Sequence, residues 1–467
     1  MVFSSLEFLF VFLPVTLLVY FCVPHKVRNL VLLLFSLFFY GWGEPVYVFL
    51  MIFTILIDYL GGWFVGKWRD EKPRAAKAAL VVSILINLGM LGFFKYYDFF
   101  VSNLARIPCF SSLQPLGLTL PIGISFYTFQ SLSYVIDVYR RETDAQKNLL
   151  AFGTYVTLFP QLIAGPIVRY RDVDDQLTNR TESVALFASG VRTFLCGLAK
   201  KVLLANAAGQ IFDSLKAGEG VSAFGAWFGL LFYLFQIYFD FSGYSDMAVG
   251  LGKMFGFRFL ENFDYPYIAT SITDFWRRWH ISLSTWFLEY VYIPLGGNRR
   301  GTLKTWRNLL IVWLCTGFWH GASWNYILWG LYYFVLLAIE KLFLYRALEK
   351  IPRFFRHAYT LLFVYFGWLL FTFEDGAAGI AYLCKMFGAS GTALWQGSDL
   401  WLLLSNLVFL CILVIASTPY PKRLFWRLWE KSGAARAAAA AGGAALLILC
   451  VAYLVNSSYN PFLYFRF

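Results

Sequence analysis

Read along the chain, apolar runs of roughly bilayer-crossing length alternate with short polar connections. A spanning helix needs about 20 mostly apolar residues. Stretches at or near that length fall at 6–24, 29–43, 46–66, 79–101, 120–138, 149–168, 185–207, 223–243, 308–336, 357–373, 400–418 and 440–458. The pattern predicts an all-α, polytopic membrane protein, some of whose segments are re-entrant or lie flat. Residues 6–24 follow no basic stretch and carry no small-x-small cleavage site, so they read as a retained helix rather than a leader. No period of about 20–50 residues recurs, which excludes a repeat architecture. The alanine-rich stretch 434–445 reads as the entry to the last helix.

Two stretches break the pattern. Residues 240–307 are aromatic and apolar, yet carry Asp240, Asp246, Glu261, Asp264, Asp274, Arg277, Arg278, His280 and Glu289. Residues 121–141, with Tyr127 and Gln130 among them, hold too many Ser, Tyr, Thr, Gln and Asp side chains for a lipid-facing helix. Polar groups at membrane depth must face protein or water. The first stretch is therefore expected to line a cavity or to form short helices at the cytoplasmic interface. The second either lines a cavity or packs helix on helix through small and hydroxyl residues.

Composition agrees with lipid as the solvent. The chain is 59% hydrophobic and 14% charged, against about 45–50% and 25% for soluble domains. Tyr and Trp, 29 and 17 of them, favour the two membrane interfaces. The net charge of +12 would suggest nucleic acid in a soluble protein. Here the basic residues cluster between apolar segments, at 67–77, 277–278, 299–307, 341–356 and 422–431. That is the signature of cytoplasmic loops, and it removes nucleic acid as a partner. The seven cysteines are scattered with no Cys-x-x-Cys pair, and read as small buried hydrophobes. No metal-ligand spacing, P-loop or Gly-x-Ser-x-Gly elbow occurs.

Candidate chemistry therefore falls on histidine. His25 and His357 sit in basic loops and read as solvated. His320 lies in a long apolar stretch, 309–339, with Gly317 and Gly321 beside it. An imidazole kept neutral there can take a proton from a hydroxyl, and the two glycines would leave room for a substrate. The alternative is a satisfied structural histidine. His280 follows Arg277 and Arg278. On a continuous helix Asp274 pairs with Arg278, and Arg277 shares a face with His280. That reads either as a cationic corner near a donor's phosphates or as an interfacial basic helix.

Around these histidines the sequence resembles the membrane-bound O-acyltransferase superfamily. Within it, the chain is similar to the bacterial branch of the alginate and peptidoglycan O-acetyltransferase membrane subunits. The stretches that carry the resemblance are Met1-Val-Phe-Ser-Ser5, Pro121-Ile-Gly-Ile-Ser-Phe-Tyr-Thr-Phe-Gln130 and Phe159-Pro-Gln-Leu-Ile-Ala-Gly-Pro-Ile167. They continue with Phe239-Asp-Phe-Ser-Gly-Tyr-Ser-Asp246, Phe275-Trp-Arg-Arg-Trp-His280, Tyr292-Ile-Pro-Leu-Gly-Gly-Asn-Arg299, Phe318-Trp-His-Gly-Ala-Ser-Trp-Asn325 and Asn460-Pro-Phe-Leu-Tyr-Phe-Arg-Phe467.

The resemblance implies one transmembrane domain over 1–467, with N-terminal helices to 118, a catalytic core at about 119–340 and C-terminal helices from 341. It implies about eleven spanning helices plus re-entrant pieces around a central tunnel. It places His320 and His280 at the family's signature positions; Arg277, Arg278, Trp319, Asn325, Tyr127, Gln130 and Asp246 are candidate supporting or tunnel residues beside them. Asn325 is a candidate to hold the His320 tautomer. The implied donor is acetyl-coenzyme A, with no metal. The implied setting is the bacterial cytoplasmic membrane. The implied partners are lipid, a polysaccharide acceptor and an extracytoplasmic esterase-like protein of the Ser-Gly-Asn-His (SGNH) type. Tyr464 is either an acyl relay, by analogy with a partner of the teichoic-acid alanylation relatives, or an interfacial anchor. The rival readings are D-alanyl transfer to teichoic acid, a lipid or sugar transporter, and a scaffold for the extracytoplasmic partner.

Overall fold

The computed structural model describes the chain apart from Glu219, Ser390, Ser458 and 464–467. Tyr464, the relay candidate, thus lies outside the described residues. Among the described residues the regular structure is entirely helical. Among the described residues seven helices are long and apolar enough to cross a membrane: Val48–Trp68, Pro73–Leu104, Ala223–Met254, Trp324–Glu349, Arg353–Thr372, Gly397–Ala416 and Gly433–Asn456; Phe8–Cys22 is a shorter apolar helix. The protein is a multi-pass membrane protein. Gly397–Ala416 and Gly433–Asn456 bury few of their residues inside the protein, 11% and 6% of their apolar windows, as helices solvated by lipid do. Cys22, Cys109, Cys196, Cys315 and Cys411 are exposed and only Cys450 is buried. The expectation of buried cysteines fails for these five; one of them, Cys411, lies on the candidate span Gly397–Ala416, where lipid imposes no cost on an outward thiol.

Helix boundaries differ from the apolar runs where backbone geometry intervenes. The run 149–168 is helical only over Leu149–Thr157, because Leu158 turns out of helical geometry (φ −48°, ψ 106°) before the single turn Phe159–Leu162. The run 308–336 is two helices, Thr302–His320 and Trp324–Ile339. Ala223–Met254 continues as one 32-residue helix through Asp240 and Asp246. Short helices appear farther on, at Ile272–Arg278 and Ile281–Phe287.

The chain forms two compact units. The first takes Met1–Cys196 and Tyr244–Leu260. There Gly61 and Gly62 of Val48–Trp68 bring neighbouring helices close: a Cβ at Gly61 would lie 2.1 Å from Ser83 Oγ, and one at Gly62 2.3 Å from the Tyr134 ring. Small residues at such crossings replace the hydrophobic drive that lipid cannot supply. Asn87 Nδ2 donates to the buried Asp58 Oδ1 at 2.7 Å across the same packing. The second unit takes Gly197–Gly243 and Glu261–Leu463, and it holds both candidate histidines.

Candidate active site

Two interruptions of helix place the histidines. Ile272–Arg278 starts on the Ser271 hydroxyl, which accepts from Asp274 N at 2.9 Å, a conventional N-cap. It stops when Trp279 becomes extended and His280 turns left-handed (φ 47°, ψ 54°). That region is uncommon for any residue with a Cβ, and such strain tends to persist where tertiary contacts fix it. Here the contacts come from Asn262. Its Oδ1 accepts from Ser282 N at 3.1 Å and Ser282 Oγ at 2.9 Å, and it lies 3.2 Å from His280 Nδ1. Ile281 N donates to Asn262 O at 3.0 Å.

These bonds set the tautomer. A backbone N–H only donates, so the atom facing Ser282 N is the amide oxygen. An oxygen cannot donate to the ring, so Nδ1 carries the hydrogen and Nε2 is the basic nitrogen. Burial pushes the His280 imidazole from the ordinary range down to about 3, which keeps it neutral at physiological pH.

The start of the same short helix is held from a distant element. Glu340, buried at the end of Trp324–Ile339, accepts from Ile272 N at 2.6 Å, Thr273 N at 2.9 Å and Thr273 Oγ1 at 2.6 Å. A carboxylate satisfies helix-start amides and complements the helix dipole. Neither Asn262 nor Glu340 stood out in the sequence.

His320 is the last residue of Thr302–His320. Its ring meets the edges of Trp329 and Phe371 at centroid distances of 5.1 and 5.2 Å and that of Trp319 at 5.1 Å. Trp319 also lies 5.9 Å from the His280 ring, so one indole touches both imidazoles. The glycines nearby serve packing rather than a substrate. A Cβ at Gly317 would meet Tyr326 O at 2.2 Å, one at Gly321 the Tyr326 ring at 2.3 Å, and one at Gly330 Trp313 O at 2.3 Å. Gly317 and Gly330 let Thr302–His320 and Trp324–Ile339 pack backbone against backbone.

Both histidines line one cavity of about 310 Å³, walled mainly by Trp276, Trp279, Trp313, Phe287, Tyr292 and several aliphatic side chains. Arg277 also lines it. Because the helix ends at Arg278, Arg277 and His280 do not share a helical face as the i,i+3 spacing suggested; they meet only as walls of the cavity. The expected Asp274–Arg278 pair forms at 2.8 Å, and Arg278 also reaches Asp264 at 3.0 Å. Arg277, by contrast, is exposed and has no hydrogen bond or ion pair among the described residues.

The remaining candidates divide between the units. Asn325 is buried, but its Nδ2 donates to Leu370 O and Phe371 O at 3.4 and 3.3 Å. Its Nδ2 is thus spent on backbone, while its buried Oδ1 accepts no hydrogen bond among the described residues. In the first unit, Gln130 Nε2 donates to Tyr155 O at 2.8 Å, Tyr127 is buried and Asp246 is half-buried. His25 is exposed, as expected, with its Nε2 3.3 Å from Arg180 O, whereas His357 is half-buried with its Nδ1 3.0 Å from Ala269 O. Among the described residues no group of three or more His, Cys, Asp or Glu side chains is gathered for a metal.

A family model described as MBOAT, membrane-bound O-acyltransferase family, matches residues 141–383, more than half of the chain. The chain belongs to the membrane-bound O-acyltransferase family. It is an O-acyltransferase, and the matched stretch contains both cavity histidines, Asn262, Arg277 and Glu340. This acyltransferase is 42% identical over 493 aligned positions to a Pseudomonas putida protein named probable alginate O-acetylase, covering 100% of both chains. A Pseudomonas aeruginosa protein of the same name is 45% identical over 403 residues, covering 86% of this chain and 77% of the relative. The peptidoglycan O-acetyltransferase of Helicobacter pylori is 35% identical over 432 residues, covering 84% and 81%.

Proposed function

We propose that this acyltransferase takes acetyl groups from acetyl-coenzyme A on the cytoplasmic side of a bacterial inner membrane and passes them on for O-acetylation of an exported polysaccharide. The observation that carries the reading is the sharing of one apolar, aromatic cavity by His280 and His320, with the exposed cation of Arg277 in its wall. The names of the relatives, which act on alginate or peptidoglycan, supply the acceptor class. A cavity of this size and apolar lining suits the thin, largely uncharged acyl arm of the donor. The highly charged nucleotide end fits better outside it, within reach of Arg277.

In the proposed step the acceptor hydroxyl gives its proton to His320. The oxygen attacks the thioester carbonyl, the carbon–sulfur bond breaks, and the thiolate leaves with the proton returned by the imidazolium. General-base assistance of this kind contributes about 10²–10⁴-fold. His280, neutral and oriented by Asn262, supports the same centre. An extracytoplasmic SGNH-type protein would complete transfer to the polymer, through a tunnel that lets donor and acceptor meet without coenzyme A crossing. Inverted membrane vesicles given acetyl-labelled coenzyme A test the whole reading. Label should reach the partner and polymer only when this protein is present. No label on partner or polymer, with D-alanyl groups transferred from a labelled carrier protein instead, or transfer only in response to an ion gradient, would refute it.

A further inference from the structure

The segment that follows the last span is bound by a row of polar side chains from the second unit. Tyr459 Oη donates to Asp213 Oδ2 at 2.6 Å, and Asn206 Nδ2 donates to Asn460 Oδ1 at 3.2 Å. Lys201 Nζ donates to Pro461 O, and Leu463 N donates to Asp240 Oδ2 at 2.9 Å. Lys201 and Asp240 themselves form an ion pair at 2.6 Å, with side chains 3% and 2% exposed. Phe462 is buried, its ring 5.9 Å from Lys201 Nζ.

A buried ion pair on its own returns little, because desolvation offsets the attraction. Ionisable groups at membrane depth are costly and tend to be retained for a purpose. Here the pair's spare capacity is filled by one short strap: the ammonium holds a carbonyl and the carboxylate holds an N–H, each of complementary polarity. The local backbone is shaped for this. Lys201 sits in the π-helical turn Lys200–Ala205, a device that shifts side-chain register. A Cβ at Gly243 would lie 2.8 Å from Gly197 O, and one at Gly209 2.7 Å from Tyr459 Oη. The absence of these side chains lets the helices and the strap close together.

The strap lies next to the chemistry. Phe241, the neighbour of Asp240, meets the His280 ring edge-on at 4.6 Å, and Tyr238 packs 6.2 Å from Trp279. We propose that Lys201 and Asp240 are positioning residues that dock segment 459–463, and that docking fixes the helical turn behind His280. The docking rests on geometry alone; its catalytic consequence rests on the acyl-transfer reading above.

The discriminating variant is the double swap Lys201→Asp/Asp240→Lys. It keeps an ion pair between the two helices but turns a carboxylate toward Pro461 O and an ammonium toward Leu463 N. Hydrogen exchange read by mass spectrometry on the full-length protein should show the Leu463 amide protected in wild type and in Lys201→Arg, and exchanging at least about 100-fold faster in the swap. Protection equal to wild type in the swap would overturn the dock and leave a plain ion pair. If the swap does not fold, wild type still decides, since a Leu463 amide exchanging at the unprotected rate overturns the proposal unaided. In a folded swap with a freed strap, donor turnover should fall about tenfold in kcat with donor KM unchanged. Full turnover there would overturn the positioning role while leaving the acyl-transfer reading intact.

Discussion

His280 Nδ1 lies 3.2 Å from Asn262 Oδ1, an oxygen that also accepts from Ser282 N. One amide thus fixes the ring's tautomer and the left-handed turn that presents it. Asn262→Ala should lower donor turnover by at least about tenfold, roughly 1.4 kcal/mol of transition-state stabilisation, with a measurable drop in melting temperature. Turnover unchanged in the folded variant would remove His280 orientation from the mechanism.

The two adjacent arginines should behave differently. Arg278 is tied to Asp274 and Asp264, whereas Arg277 lines the cavity and is free of such ties among the described residues. Arg277→Ala is expected to leave stability within about 0.5 kcal/mol of wild type and to raise KM for acetyl-coenzyme A. Arg278→Ala should cost about 0.2–1 kcal/mol for each partly exposed pair, with a smaller effect on KM. Steady-state kinetics beside thermal melts separate the two; an Arg278 variant with the larger KM change would reverse the assignment.

Glu340→Ala strands the Ile272 and Thr273 amides in a buried place. An unsatisfied buried group costs about 1–3 kcal/mol, so the melting temperature should fall by several degrees. Glu340→Gln keeps one acceptor oxygen and should recover part of the loss. A variant that melts like wild type would show that the helix start needs no such anchor.

Acid should destabilise the fold through His280. Its folded pKa is depressed by burial to about 3, while an unfolded histidine titrates near 6.5. Between those values the unfolded state binds the extra proton, so stability is lost as pH falls through that window and is fully present above it. Melting temperature measured from pH 7 down to pH 4.5 should fall, and less steeply in His280→Gln. Equal slopes would mean that His280 does not carry the effect.

Much of the architecture could be read from the apolar runs, because lipid demands long uninterrupted helices. The Asp274–Arg278 pair was legible for a similar reason: both residues lie on one short helix. What the sequence hid depends on distant contacts. Asn262 meets His280 across 18 residues and Glu340 meets Thr273 across 67, so no local spacing signals either. The Arg277–His280 face does not form because the chain leaves helical geometry at Trp279 and His280, a choice made by tertiary contacts against local propensity. The room for substrate that Gly317 and Gly321 suggest in the sequence is filled by Tyr326.

The most direct test is acetyl-coenzyme A turnover by detergent-purified protein, wild type beside His320→Ala, each checked by thermal melt. The account predicts turnover, even as slow hydrolysis, that falls at least about 100-fold in a folded His320→Ala. A folded His320→Ala variant turning over donor at the wild-type rate would contradict it.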